Sequence, residues 1–498
     1  MRMWVRCLGF GLAFALFTLE GMTPPARAAS GSTVTRMTVA GTQSVGTFGG
    51  TPYTRTWGTL YGVVAPTENV AGLDSLTKNA DGNYEYRSDY EIIAPTTPSP
   101  GGTLFVEAEN RGNPLFIGRL DDIGVTGAPS AAKYPPGLGS GFLQNRGTAY
   151  ARVQWQTGIA TGVPASAQGV GEVIVRDFAR RLSTDYHTLI LGGISQAGWF
   201  VETFVAEGFN ENPADGHPVF NGAIAIDGTG HWLAINQLGA ANKTPQQPYV
   251  DPKAPTVLSA QTLLRRPNSD PFFIDVANYT DFYRVQASLT DHVTLPANMR
   301  RYDWPSPHAT GTAATAANAF STMACNGGTA VRLNPIPYNA YLRAVTLELE
   351  RQLGAKTGPD VPPLPPTTLF TLGPVPAAAT EVNNPLAGTA LQVPVVDADA
   401  QPVGGVRFPE VEQPVGKPVP VSLSPVITTT IANTCGNLGR WQPFTADQLA
   451  QRYQNASTYV SRYAAALDKL IASGYVLPSD RAKLLAQAAA LYAKPEGY

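Results

Sequence analysis

Apolar and polar positions change rhythm three times along the chain. From Ser30 to about Pro95, short runs rich in Thr, Val, Gly and Tyr are broken at Gly49-Gly50 and Asp81-Gly82. That pattern predicts strands joined by hairpins. Beyond it, short apolar runs alternate with helical periods. Residues 103–107, 149–155, 188–191, 219–226, 272–276 and 299–304 read as strands. Residues 170–182 place Ile174, Phe178 and Leu182 on one face, and residues 339–353 place Leu342, Val345, Leu349 and Leu353 on one stripe. Both read as helices, as do residues 198–208. Such alternation predicts an α/β fold with a mostly parallel sheet covered on both faces.

The third rhythm begins in a proline-dense stretch, Pro362-Pro363-Leu364-Pro365-Pro366, which predicts a rigid extended connector followed by short irregular β segments. Thr445 and Gln448 form a capping box for one long helix. Its apolar stripe runs through Leu449, Tyr453, Ala456, Val460, Tyr463 and Leu467 and ends at Gly474. A second helix after Pro478 carries Leu484, Leu485, Ala488 and Leu491. The two form a hairpin that must pack on the main domain, because neither buries its stripe alone. The expected segments are therefore a signal peptide (1–28), an N-terminal β-rich segment (29–95), an α/β core (96–356), the connector with irregular β (357–441) and the helical hairpin (442–498).

Composition changes this picture mainly by exclusion. A formal net charge of −2 over 498 residues gives no electrostatic reason to expect nucleic acid or an anionic membrane as partner. The charged fraction is only 14%, with 49 Gly and 43 Pro, which suits a loop-rich secreted protein. Arg2 and Arg6, the apolar residues 7–19 and the Ala26-Arg27-Ala28 site read as a secretory signal cut before Ala29. The expected location is secreted or periplasmic, with no membrane contact after cleavage. Cys7 leaves with the signal; Cys325 and Cys435 remain as an even pair and predict one long-range disulfide. No Cys/His cluster or zinc-protease motif is present in the sequence, so neither metal nor cofactor is expected.

Chemistry enters at Leu191-Gly192-Gly193-Ile194-Ser195-Gln196-Ala197-Gly198, between a predicted strand and a predicted helix. A serine in a tight small-residue turn there is the nucleophile-elbow pattern G-x-S-x-G, with Ala197 replacing the last glycine. The same string would also serve an ordinary strand–turn–helix with a surface serine. A nucleophilic serine needs a histidine to take its proton and a carboxylate to orient that histidine. In this architecture the chain order is serine, acid, histidine. Among five histidines, His187 precedes the serine, His217 and His231 come early, and His292 precedes a strand. His308, on the loop after the last predicted strand of the core, has the position of the base. Asp281, just past residues 272–276, is the expected acid, with Asp227 as the alternative; Asp275 lies within a strand and faces away. The oxyanion should be held by the Gln196 backbone N–H and by an N–H of the loop Asn110-Arg111-Gly112-Asn113. Arg111 could instead bind a substrate carboxylate or pair with Glu107 or Glu109.

These strings together resemble a bacterial family of secreted α/β-hydrolase-domain proteins. The likeness is carried by Glu109-Asn110-Arg111-Gly112-Asn113, Gly193-Ile194-Ser195-Gln196-Ala197-Gly198, Glu207-Gly208-Phe209-Asn210-Glu211, Asn278-Tyr279-Thr280-Asp281-Phe282-Tyr283 and Pro307-His308. It continues into Gly404-Gly405-Val406-Arg407-Phe408-Pro409 and the helical C-terminus. The resemblance implies a Ser–acid–His hydrolase and carries Ser195 and His308 over directly. Where the family often has Glu, this chain has Asp281. The resulting reading is a serine hydrolase that cleaves small-molecule carboxylic esters through an acyl-enzyme on Ser195. The alternatives are an amidase or acyltransferase with the same triad, or a secreted binding protein that keeps the fold without catalysis.

Overall fold

The computed structural model describes residues 31–97, 101–158, 162–230, 233, 258–285, 287–290, 294–308, 322–324, 330–354, 366–374, 392–420 and 437–495. The predicted signal, Cys325 and Cys435 lie outside these residues.

One ten-stranded sheet organises the molecule. Its strands are β1 (Thr33–Phe48), β2 (Thr51–Val64), β3 (Thr77–Lys78), β4 (Tyr84–Pro95), β5 (Gly102–Ala108), β6 (Ala149–Val153), β7 (Tyr186–Ile194), β8 (Gly222–Ile226), β9 (Phe272–Asn278) and β10 (Met299–Trp304). The order is β1-β2-β4-β6-β5-β7-β8-β9-β10, with β3 beside β4. Strands β6 through β10 in that order are parallel neighbours, and β1, β2, β3 and β4 join them antiparallel. The N-terminal β-rich segment therefore extends the main sheet. Its first turn, Gly49-Gly50, has φ of 54° and 85°. Positive φ at both central residues is the hairpin geometry that matches strand twist, and glycine adopts it without strain.

Helices α1 (Leu115–Leu120), α2 (Val170–Leu182), α3 (Gln196–Ala206), α4 (Ala260–Leu263), α5 (Asp281–Arg284) and α6 (Asn339–Gln352) follow the strands. The period-2 alternation of the central strands sorts their side chains between two cores. Leu104, Val106, Leu189, Leu191, Ala223, Ala225 and Phe273 pack with α2 and α3. Phe105, Ile190, Ile194, Ile224, Ile226, Ile274 and Val276 pack with α1, α6 and the C-terminal helices. Burial on both faces explains why these strands read as nearly continuous apolar runs.

The C-terminal helical region departs from expectation in one respect. The capping box at Thr445 is present, but the long helix is two helices, Ala446–Tyr453 and Ala456–Ala472. Gln454 has φ 65°, and the Asn455 side chain accepts from the Thr458 amide, starting a new helix. The buried face shifts across the break: Ala456 of the predicted stripe is exposed, and Tyr459 takes its place, its ring centroid 5.0 Å from that of Tyr453. Helix Arg481–Ala493 completes the hairpin, and Tyr463, Leu467, Leu484 and Ala488 join the core on the α6 face. Arg343 of α6 fastens it, with Nη2 2.6 Å from Asp480 Oδ1 and Nη1 2.9 Å from the Leu120 carbonyl oxygen. Among the described residues, no helix is long and apolar enough to cross a membrane.

A buried charge network lies where β4, β5 and β6 meet. Arg152, fully buried, donates to Glu91 (3.1 Å), to Glu109 (2.5 Å) and to the Gly127 carbonyl (3.1 Å). Arg55 also meets Glu91 at 2.6 Å. Removing one member of such a network strands the others in a low-dielectric interior. Arg152→Met should therefore lower unfolding stability by about 3–5 kcal/mol, measured by chemical denaturation of variant and wild type; a loss below about 1 kcal/mol would show that the pairs are relaxed by water.

Candidate active site

Ser195 sits between β7 and α3 with φ 61° and ψ −124°. A non-glycine residue there is strained by about 1–3 kcal/mol and needs surrounding structure to hold it. That structure is visible in the backbone. The Ser195 amide donates to the Ile226 carbonyl at 2.9 Å, tying the turn to the end of β8. A Cβ on Gly193 would lie 2.2 Å from the Ala197 carbonyl oxygen, and one on Gly198 would lie 2.5 Å from the Ile226 oxygen. The small residues are thus required at 193 and 198. Position 197 crowds Gly193 through its backbone, and its own methyl is buried in the core on the α2–α3 face. That is why alanine is accommodated where the pattern has glycine.

Three sequence-predicted residues meet here. Ser195 Oγ lies 2.8 Å from His308 Nε2, and His308 Nδ1 lies 2.5 Å from Asp281 Oδ1. Because Nδ1 faces a carboxylate, it carries the proton, and Nε2 is left to accept from the serine hydroxyl. His308 is 1% exposed and Asp281 fully buried, whereas Ser195 keeps 8% exposure, the most of the three.

Loop contacts fix the imidazole. Trp304 ends β10, and the Ser306 carbonyl accepts from the Tyr279 amide at 2.9 Å. The His308 amide donates to Thr280 Oγ1 at 2.7 Å, and Thr280 Oγ1 donates to the Asn437 carbonyl at 2.7 Å. Asp281 opens α5, and its Oδ2 accepts from the Asn278 amide at 2.7 Å. The loops after β9 and β10 are therefore stitched to each other before either reaches the serine.

Asp227, at the end of β8, approaches the same ring nitrogen but less closely: its Oδ1 is 3.8 Å from His308 Nδ1 and accepts from Asn278 Nδ2. Of the two acids weighed, Asp281 makes the hydrogen bond. Asp227, Asp281 and His308 offer ligand-type atoms within 4.8 Å of one another. A metal between the ring and Asp281 would hold its donor atoms roughly 3.3 Å apart, given tetrahedral bonds of about 2.0 Å. The 2.5 Å contact is that of a direct hydrogen bond.

The expected oxyanion loop lies alongside. Arg111 and Gly112 have φ of 50° and 77°, and the amides of Asn110 and Asn113 close the turn on each other's carbonyls at 2.9 and 3.0 Å. Asn110 Nδ2 donates to the Ile194 carbonyl at 3.0 Å, anchoring the turn to the residue before the nucleophile. Gln196 is the first residue of α3, so its amide lies in the turn where the helix offers no acceptor of its own. The acids considered as partners for Arg111 are otherwise engaged. Glu109 meets Arg152, and Glu107 accepts from the Phe116 and Ile117 amides at 2.6 and 3.0 Å and from Tyr150. Burial pushes the Glu107 carboxyl up to about 7 despite those donors. Arg111 Nη1 donates to Asn110 Oδ1 at 3.1 Å.

The other residues considered lie elsewhere. Asp275 pairs with Arg301 at 2.6 Å. His187 and His217 stand on exposed positions away from the serine's partners, and His231 and His292 lie outside the described residues. Sequence reasoning missed Thr280, Asn278 and Trp199, whose Nε1 donates to the Asp227 carbonyl at 3.1 Å. Asn278 is fully buried.

Residues 167–486 match the family model described as alpha/beta hydrolase domain. The chain belongs to the alpha/beta hydrolase domain family. No curated protein matches its sequence. Among solved structures, an esterase LipA of Xanthomonas oryzae, described as rice cell wall degrading, is 10% identical with a TM-score of 0.29 over 56% of this chain and 91% of that one. A CE15 glucuronoyl esterase from Teredinibacter turnerae is 13% identical with a TM-score of 0.31 over 58% and 77%. At such scores neither carries weight for the activity of this family member.

The elbow yields a direct check. Gly193→Ala should displace the turn and cost about 2 kcal/mol or more through overpacking, whereas Ala197→Gly should cost under about 1 kcal/mol. Thermal unfolding of the two variants separates them; equal losses would mean that the close approach at Gly193 is not a constraint.

Proposed function

We propose that the protein is a secreted serine hydrolase that cleaves small-molecule carboxylic esters. The observation that carries this reading is the continuous hydrogen-bond chain from Ser195 Oγ through His308 to Asp281. In this mechanism Ser195 Oγ attacks the acyl carbonyl while His308 Nε2 takes its proton. Asp281 keeps the proton on Nδ1 and stabilises the imidazolium that forms. The developing oxyanion is held by the Gln196 N–H, with the α3 dipole behind it, and by an amide of the Asn110–Asn113 turn. His308 then returns the proton to the departing alkoxide, leaving an acyl group on Ser195. A water, deprotonated by the same imidazole, releases the acid and restores the hydroxyl. Esters suit this device because an alcohol leaves with less help from the general acid than an amine does.

On this reading, Ser195→Ala should lower turnover of a short-chain aryl ester by roughly ten-thousandfold or more and abolish labelling by a fluorophosphonate probe. Labelling that survives the substitution removes the assignment. The corresponding anilide should turn over far more slowly than the ester; the reverse order would make the protein an amidase. The mature protein exported by a bacterial host should begin at Ala29 by N-terminal sequencing, and its Cys325 and Cys435 peptides should be joined before reduction. Retention of residues 1–28 would contradict the secreted reading.

A further inference from the structure

We propose that Asp227 stands in the site as a neutral carboxylic acid whose proton is donated to Asp281, so that His308 leans on one carboxylate braced by a second carboxyl. The argument begins with geometry. Asp227 and Asp281 are both fully buried, and both bring an oxygen to the Nδ1 side of one imidazole, at 3.8 and 2.5 Å. Two carboxylates this close, away from water, cannot both stay ionised beside a neutral ring. The closer one must keep the charge, because it accepts the ring N–H and the Asn278 amide. The other is left to carry the proton.

Asn278 enforces the pairing. Its backbone N–H donates to Asp281 Oδ2 and its side-chain N–H donates to Asp227 Oδ1. One residue therefore fixes both acids, and the two carboxyls are themselves joined by a side-chain hydrogen bond. The backbone is committed as well: Asp227 has φ 61°, its amide donates to the Val276 carbonyl at 2.8 Å, and its carbonyl accepts from Trp199. A residue held in so constrained a conformation at a site is aimed there by its neighbours.

The titratable groups around Asp227 agree. On α5 it faces Asp281, and on the loop after β10 it faces His308. Tyr338, ahead of α6, is a neutral phenol beside them, its ionisation pushed up by burial. Glu202 of α3 lies across Gly228, where its Oε1 accepts the Gly230 amide. Among these only His308 can be cationic. Burial, with Asp281 adding to it and His308 opposing it, pushes the Asp227 carboxyl up to about 8. Asp227 is thus a positioning residue, acting on His308 through Asp281.

The test has two arms, and only the second depends on the serine-hydrolase reading. A carboxyl protonated in the fold and ionised in the unfolded chain makes stability fall as pH rises from its unfolded pKa, about 4, to its folded one. The folded value of about 8 sets the upper end of that window. Asp227→Asn does not titrate, so its Tm relative to wild type should climb between those limits and level off above them. A difference independent of pH across the window overturns the proposal. Asp227→Ser, which keeps a hydroxyl donor, serves if the Asn variant does not fold. In the second arm, fluorophosphonate labelling of Ser195 at pH 7 should slow about tenfold in Asp227→Ala, the loss of one hydrogen bond, and by less in Asp227→Asn, whose amide N–H still donates to Asp281. Asp281→Asn should slow it about ten-thousandfold. Equal losses would make Asp227 an ionised partner and overturn the proposal. A wild type that is not labelled, with the Tm difference still climbing, would remove the hydrolase reading and leave the protonated Asp227 standing.

Discussion

The site depends on the 2.5 Å hydrogen bond between His308 Nδ1 and Asp281. It selects the tautomer, and the tautomer decides whether Nε2 can accept the serine proton. It also joins two loops that leave neighbouring parallel strands, β9 and β10. Asp281 and His308 each follow their strand within a few residues, and the two segments are tied to each other by the Tyr279 amide and by Thr280. The third strand end, β7, supplies Ser195 in a backbone conformation that glycine-sized neighbours make possible. Because the three carriers are strands of one hydrogen-bonded sheet, the distances between the side chains are set by strand spacing and not by long flexible connections.

Much of this was legible in the sequence because it follows from order and period. The run at 299–304 and the helix over 170–182 have the bounds the apolar pattern predicts, since both faces of the sheet are buried and apolar residues mark them. His308 could be reached by elimination because the chain has so few histidines and the fold dictates which strand precedes the base. Other features left no local mark. The joining of β1, β2 and β4 to the parallel strands is a non-local pairing, and hairpin signals alone do not say what a hairpin docks against. The break at Gln454 falls within a run whose apolar spacing reads in phase in the sequence, so periodicity alone predicts one helix and misses Tyr459, which is buried where Ala456 was expected. Thr280 and Asn278 act through single hydrogen bonds, which residue type does not announce.

Burial of charge is the recurring device. Glu107 caps α1 next to the Asn110–Asn113 turn, Glu109 and Glu91 grip Arg152, and Arg343 holds the C-terminal hairpin to α1 and α6. Each interaction is directional and intolerant of displacement, unlike the apolar packing around it. Buried pairs of this kind add little net stability but restrict which arrangements of the loops satisfy all partners.

In the proposed function, Ser195 becomes a covalent acyl carrier because His308, oriented by Asp281, removes its proton. Intact-protein and peptide mass spectrometry, after rapid acid quenching of the enzyme with an ester whose acyl group is released slowly, observes that species directly. The account predicts one acyl group per chain, on the peptide containing Ser195, and none when His308 is replaced by Ala. Steady turnover of the ester with no adduct on that peptide, or an adduct on another residue, would contradict it.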